Sequence, residues 1–378
     1  MAEPFKNLIN AEVVQSIAHH VGRAWRGFDR PAFTAQALAG LDGLELKARV
    51  LQLAQALAAT LPADVDRAAG ILEASLGPPG EGDDLAQLRT SAAGLAGWAV
   101  WPLTEAIALI AAEREPERGL AALQAMTQRL TAEFAIRPFL IQHPALGFET
   151  LQRWVHDPSA HVRRLVSEGS RPRLPWGLRL QALVADPSPT LPLLRALQDD
   201  PSAYVRRSVA NHLNDIAKDH PALIAQWLAE HLPAASAERR ALLRHASRGL
   251  VKQGDAVVLA AWGLGAALRG RVVLALSPTT VAVGDSLQLT VQLHSTARQP
   301  QRLAIDYAVH HVKAAGHTTP KVFKGWVIEL APGESRQLEK RHSMKAVTTR
   351  RYHPGAHALD LRINGRVVAE AGFELALP

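Results

Sequence analysis

The sequence contains no cysteine among its 378 residues. This excludes a disulfide framework, a thiolate nucleophile and any cysteine-ligated zinc or iron–sulfur centre. Long apolar runs are missing too, since no stretch of about 18 residues passes without a polar interruption. The segment Met1–Val14 lacks the basic-then-apolar order of an export signal, so a cytoplasmic protein is expected. Metal and nucleotide signatures are also wanting: there is no HExxH pair, no GxGxxG fingerprint and no Walker-type loop. His143, His156 and His161 show no metalloenzyme spacing with carboxylates, and neither a metal nor any other cofactor is expected.

What is present is a globular composition, 48% hydrophobic and 20% charged, in a chain long enough for two domains. The formal net charge of +7 is unevenly spread. Residues 1–130 carry −4, residues 131–270 carry +5 and residues 271–378 carry +6. Arginine dominates the middle segment, and its planar fork pairs with phosphate in a way lysine cannot match. A polyanionic partner follows as a hypothesis, beside the plainer reading of a solvated cationic surface.

Near residue 270 the hydrophobic period changes. Before it, Ala, Leu, Arg and Gln recur at helical spacing, as in Leu44, Leu46, Ala48, Val50, Leu51, Leu53, Ala54 and Leu57, broken by short Pro- and Gly-bearing segments. After it, two-residue alternation sets in at Val281–Val283, Leu287–Leu293 and Ala358–Ile363, with turn signals between the runs. The expected architecture is multidomain, α then β: a HEAT-like α-solenoid over residues 1–268 and a small antiparallel immunoglobulin-like β-sandwich over 269–378.

The helical part contains a repeat. Asp157-Pro158-Ser159-Ala160-His161-Val162-Arg163-Arg164-Leu165-Val166 returns 43 residues later as Asp200-Pro201-Ser202-Ala203-Tyr204-Val205-Arg206-Arg207-Ser208-Val209, a period suited to HEAT-type helix pairs. Asp is expected as the helix cap, Val on the buried face and Arg on the next turn. A weaker third copy is expected at Arg244–Arg248. The Arg pairs either line a basic groove or bond to aspartates of neighbouring repeats. Between the copies runs Glu168-Gly169-Ser170-Arg171-Pro172-Arg173-Leu174-Pro175-Trp176, which cannot be helical throughout because of its prolines. An aromatic residue beside several arginines suits nucleic acid or a cationic base.

The string HDPSAHVRRLVSEGSRPRLPW (156–176) resembles the signature of the AlkC family of bacterial DNA glycosylases, relatives of AlkD built on HEAT-like repeats. Pro4–Asn10 and Leu44–Arg49 match elsewhere in the helical part. The tail, through GDSLQLTVQL and YHPGAHALDLRING, more loosely resembles the immunoglobulin-like domain carried by part of that family. The resemblance implies hydrolysis of the N-glycosidic bond of cationic alkylated bases, of the 3-methyladenine and 3-methylcytosine class, without full base flipping. It implies Glu133, Glu168 and Asp215 as catalytic carboxylates and Trp176 as the lesion-side aromatic. Double-stranded DNA carrying alkylated bases becomes the expected partner of a monomeric enzyme associated with the nucleoid. Contacts to DNA are expected from Arg163, Arg164, Arg171, Arg173, Arg206, Arg207, Arg244, Lys252, Arg350 and Arg351, with Arg164 either on phosphate or orienting a carboxylate. The local alternatives are ion pairs: Asp215 with Lys218, and Glu133 with Arg129 or Arg137. Tyr352 is expected as a tyrosine-corner residue that holds the sandwich. A non-catalytic HEAT scaffold is the competing reading, but it has no need of the Glu168–Trp176 string.

Overall fold

The structure is a computed structural model and describes residues 5–80, 82–83, 85–314, 316–347 and 351–376. Helices fill the chain from Ala11–Ala24 to Ala256–Ala261, and strands fill it from Gly270–Ser277 onward. By internal contacts it forms two compact units. One holds residues up to Asp219 together with Ser236–Ala246; the other holds His220–Ala235 and everything from Ser247 on. The division into compact units thus assigns the helices Pro221–His231, Arg248–Gln253 and Ala256–Ala261 to the strand-bearing unit.

In the first unit, helix starts are set by short polar side chains that accept an otherwise unpaired backbone N–H. Asn10 takes Val13 N at 3.0 Å, Asp29 takes Ala32 N at 2.9 Å and Asp64 takes Arg67 N at 2.8 Å. Proline opens the helices Pro116–Met126 and Pro144–Trp154, where its missing donor goes unneeded.

The repeat is built as the spacing predicts, with corrections to its cap and to the start of its third copy. The helices Ala160–Gly169 and Ala203–Ile216 start at Ser159 and Ser202, so serine, not aspartate, holds the cap position. Asp157 and Asp200 stand two residues earlier and accept from the backbone N of Ser159 at 2.7 Å and Ser202 at 2.8 Å. Each closes an Asx turn, because a side chain so near its own backbone reaches two residues on more readily than into the helix. The valines bury as expected, with Val162, Val166, Val205 and Val209 fully enclosed. A third helix, Ala237–Ala246, packs on Ala203–Ile216. It starts beside Ser236, whose hydroxyl accepts Arg239 N at 3.1 Å, so the third copy begins before the point that Arg244 suggests.

Arg163 joins the first copy to the second. Its guanidinium forks onto Asp200 at 2.6 and 3.0 Å and also donates to the carbonyls of Asp157 and Pro158. Arg206 reaches the equivalent carbonyls of Asp200 and Pro201.

In the second unit the strands are β1 Gly270–Ser277, β2 Thr280–Ala282, β3 Ser286–Ser295, β4 Gln301–Val312, β5 Thr318–Leu330, β6 Ser335–Ser343, β7 Gly355–Ile363 and β8 Arg366–Ala376. They form two sheets, ordered β1-β3-β6 and β2-β8-β7-β4-β5. Alternation in β3 turns Leu287, Leu289, Val291 and Leu293 into a core shared with Ile305, Tyr307, Val309, Leu359, Leu361 and Phe373. The Asn364-Gly365 turn, at φ 49° and 78°, joins β7 to β8 as such a dipeptide should. The pairing is antiparallel except that β2 runs parallel to β8. The chain changes sheet between β1 and β2, so this short strand meets β8 in the same direction rather than folding back on its predecessor. Tyr352 packs against this core, with its ring 5.7 Å from that of His311.

Asp200 carries both a turn and the tie between repeats. Replacing it by Ala leaves Arg163 without its carboxylate in a largely enclosed position. Asp200→Ala is therefore expected to lower unfolding stability by about 3 kcal/mol, read from urea denaturation of the full chain.

Candidate active site

Glu168 and Asp215 each stand next to last in their helices, Ala160–Gly169 and Ala203–Ile216. The negative end of a helix is a poor place for a carboxylate. Each is met by a cation three residues on: Arg171 donates to Glu168 Oε1 at 2.5 Å, and Lys218 to Asp215 Oδ1 at 2.7 Å. Because the two helices lie side by side, Arg171 also crosses to Asp215 Oδ2, at 2.8 Å through its Nε. Gly169 permits the first helix to pack tightly, since a Cβ there would stand 2.6 Å from Ile136 Cγ2.

Glu133 comes from the turn before the helix Arg137–Gln142. Its Oε2 accepts from Thr131 Oγ1 at 2.9 Å and from Arg164 at 3.0 Å. Arg164 stands 3.8 Å from Glu168 Oε2, and its guanidinium lies over the Tyr204 ring, 4.8 Å from the centroid, an arrangement worth roughly 0.5–2 kcal/mol. Ser208 Oγ donates to Glu168 Oε2 at 2.6 Å. The three carboxylates thus form one chain in which cations alternate with anions: Glu133, Arg164, Glu168, Arg171, Asp215, Lys218.

Coverage differs along it. Side-chain exposure is 13% for Glu133, 6% for Glu168 and 2% for Asp215. Glu168 and Asp215 have both oxygens engaged, whereas among the described residues Oε1 of Glu133 takes no protein hydrogen bond. Burial alone would raise the Glu168 carboxyl, but Arg164, Arg171 and Ser208 outweigh it and hold the group below the usual carboxylate value. Burial raises the Tyr204 phenol, partly offset by Arg164.

Trp176 sits outside this buried chain on the loop that follows it, 65% exposed. The loop is fastened from below by Arg137, which is fully buried and donates to the carbonyls of Leu178 at 2.5 Å, Gly169 at 2.7 Å and Arg171 at 2.8 Å. Burial, and then the charge of Arg171, lowers Arg137 to about 10, so it stays protonated at neutral pH.

Glu133, Glu168 and Asp215 are therefore brought together. The Asp215–Lys218 pair forms as expected, whereas Glu133 departs from the local alternatives. Arg129 turns instead to the carbonyls of Gly77 and Ala125, and Arg137 to those of the loop, so Arg164 from the next repeat is the partner of Glu133. Of the expected DNA-contacting residues, Arg163, Arg164 and Arg171 are engaged in the pairs described, and Arg173 forks onto Asp219 at 2.6 and 2.7 Å. Arg206 is held by loop carbonyls, while Arg207, Arg244, Lys252 and Arg351 are exposed at the surface. Arg350 lies outside the described residues. Ser208, Thr131 and the loop-fastening role of Arg137 are not foreseen by the sequence reading. Arg137 does leave a signal, a lone arginine in the apolar run Phe134–Ile141, which marks a buried and fully bonded side chain.

Buried carboxylates strung between guanidinium groups across successive helical repeats, beside an exposed aromatic and joined to a β-sandwich, define a helical-repeat protein with an acidic site. The sequence family described as "Uncharacterised protein YhaZ, C-terminal Ig-like domain" matches residues 271–377. Uncharacterized protein YhaZ of Bacillus subtilis (strain 168) is 35% identical over 378 residues, 98% of this chain and 99% of that one. The solved structure of Pseudomonas fluorescens alkylpurine DNA glycosylase AlkC, bound to DNA containing an abasic site analog, is 35% identical, with a TM-score of 0.89 over 99% of this chain and all of that one. The chain belongs to the AlkC family of DNA glycosylases.

His212 sits fully buried one turn before Asp215 and donates through Nδ1 to the Ser167 carbonyl, at 2.9 Å. Burial lowers its imidazole to about 4. The unfolded chain, with an ordinary value of 6.5, therefore binds the proton more readily than the folded one. The stability this neutral imidazole contributes is complete above pH 6.5 and is lost as the pH falls towards 4, on the order of 3 kcal/mol in all. Chemical denaturation across that range is expected to show the slope, and His212→Gln, which keeps a donor for Ser167, to flatten it.

Proposed function

We propose that this protein hydrolyses the N-glycosidic bond of cationic alkylated bases, of the 3-methyladenine and 3-methylcytosine class, in double-stranded DNA, acting as a monomer without flipping the base fully from the stack. The observation that carries this reading is the convergence of Glu133, Glu168 and Asp215, from three successive parts of the helical array, with the exposed Trp176 on the loop that follows Glu168.

A cationic base is a good leaving group and departs neutral, taking the bonding electron pair, so no general acid is required. The sugar is left with oxocarbenium character. Water then adds to the anomeric carbon and gives up a proton, and the products are an abasic sugar and the free neutral base. Carboxylates serve both needs, stabilising the cationic sugar and accepting the proton. Glu168, held ionised by two guanidinium groups, suits the electrostatic role. Glu133, with Oε1 not bonded to protein among the described residues, suits the acceptor role. The Trp176 face adds a cation–π attraction that only a charged lesion gains, roughly 0.5–2 kcal/mol.

We assign this chemistry to residues 1–268 and a supporting role in DNA binding to residues 269–378. Of the expected contacts, Arg207, Arg244, Lys252 and Arg351 are exposed, and phosphate contacts are assigned to them. Arg163, Arg164, Arg171 and Arg173 act instead chiefly by holding acidic groups in place.

The test is release of methylated base from alkylated duplex DNA. Wild-type protein is expected to release it, with Glu168→Gln slower by about 10²–10³ in kcat. No release by wild type removes the enzymatic reading, and equal release by the two proteins removes Glu168 from the chemistry. Binding to undamaged duplex is expected to weaken steeply with salt as phosphate contacts are lost. A flat response in a filter-binding titration rules out the phosphate assignments.

A further inference from the structure

Trp176 has a φ of 63°, in the left-handed region. That conformation is uncommon for a bulky residue and persists only where its surroundings impose it. Arg137 fastens the loop at Gly169, Arg171 and Leu178, but not at the Trp176 peptide itself. The peptide that follows Trp176 is held twice: its N–H, from Gly177, closes a turn onto the Leu174 carbonyl at 3.1 Å, and its carbonyl, from Trp176, accepts from Lys47 Nζ at 2.6 Å across 129 residues of chain.

Lys47 is itself well seated. Its ammonium lies over the Phe134 ring, 5.8 Å from the centroid, and Phe134 follows Glu133 in sequence. Phe134 stacks on Trp101, with centroids 5.2 Å apart and planes at 22°. Trp101 donates through its indole nitrogen to Glu105 at 3.1 Å, and the Glu105 carboxylate lies within electrostatic reach of Lys47. The two neighbours of Lys47 in the motif Leu44–Arg49 are anchored in turn. Glu45 pairs with Lys6 at 3.1 Å, and buried Arg49 donates to the carbonyls of Ile9 at 2.9 Å, Leu44 at 2.9 Å and Asp42 at 3.1 Å. One short segment therefore ties Phe5–Asn10 to the first repeats and sends the lysine between the two ties to the tryptophan loop.

We propose that Lys47 is the positioning residue of Trp176: its ammonium holds the Trp176 peptide in the left-handed conformation that presents the indole to the lesion. This rests on the lesion-side role given to Trp176 above. Without the lysine only the Gly177–Leu174 turn bond holds the strained peptide, so the turn populates ordinary backbone angles and the ring leaves its place while the carboxylate chain stays intact. The loss falls on lesion recognition and not on the fold.

The experiment is a double-variant cycle on the full chain, with 3-methyladenine release from methylated duplex followed to give kcat and KM. Trp176→Ala and Lys47→Met are each expected to lower kcat about tenfold, the scale of the cation–π contact that only the presented ring makes. Lys47→Arg, which keeps a cationic donor, is expected to recover most of it. The double variant should be no slower than Trp176→Ala alone, because both changes remove the same presented ring. Multiplying losses, or Lys47→Met at wild-type rate beside a slow Trp176→Ala, overturns the positioning role. A salt slope for DNA binding reduced by about one in Lys47→Met also overturns it, since this marks a phosphate contact instead. A Trp176→Ala variant as fast as wild type fails differently, by removing the lesion role of the tryptophan. Thermal unfolding of each variant separates these outcomes from misfolding.

Discussion

Arg171 is the interaction on which the rest of the site depends. Its guanidinium lies between Glu168 and Asp215, two carboxylates that end neighbouring helices and are both nearly sealed from water. A buried carboxylate without a cation would take up a proton or force the helices apart. With Arg171 between them, the two helix ends are drawn together and Glu168 remains an anion. Arg164 does the same between Glu168 and Glu133. The arrangement is costly for stability if any partner is missing, and buried charge pairs seldom offset their own desolvation by much. Its retention suits a protein that needs fixed negative charge in a dry place more than it needs stability there.

Much of this is legible in the sequence. The period change near residue 270, the 43-residue repeat and the Asn364-Gly365 turn each follow from local periodicity or turn chemistry, which need no tertiary information. Glu168 and Trp176 stand out because the string that holds them has prolines, arginines and an aromatic where an ordinary interhelix loop has small polar residues. The pairing is less legible. Glu133 looks equally able to meet Arg129 or Arg137 on the basis of spacing, and only the packing of successive repeats brings Arg164 to it instead. Serine rather than aspartate at the cap is a matter of one residue, below what a motif can resolve. The parallel entry of β2 beside β8 depends on which sheet the chain joins after β1, a choice its three residues do not encode.

The arginines show why composition misleads when taken alone. A count of the middle segment finds an excess of cations and points to a polyanion. In the structure several of them face inwards: Arg163 to Asp200, Arg164 and Arg171 to the carboxylate chain, Arg137 to three carbonyls. Arginine in this protein is as much a building material as a contact for phosphate. The surface that reads charge from outside is carried by fewer residues than the sequence count suggests.

The bond between Lys47 and the Trp176 carbonyl has a further consequence, for how the first unit folds. Stacked helical repeats normally gain stability from nearest neighbours alone, so that one end can fray while the other holds. Here residue 47 grips residue 176, and Ser202 grips Asp83 across 119 residues. Such ties can form only after distant parts of the chain have met, which slows assembly. Once made, they bind the fate of early helices to that of late ones. Cooperative unfolding, as in a compact globular domain, is thus written into what the sequence presents as a modular string of repeats.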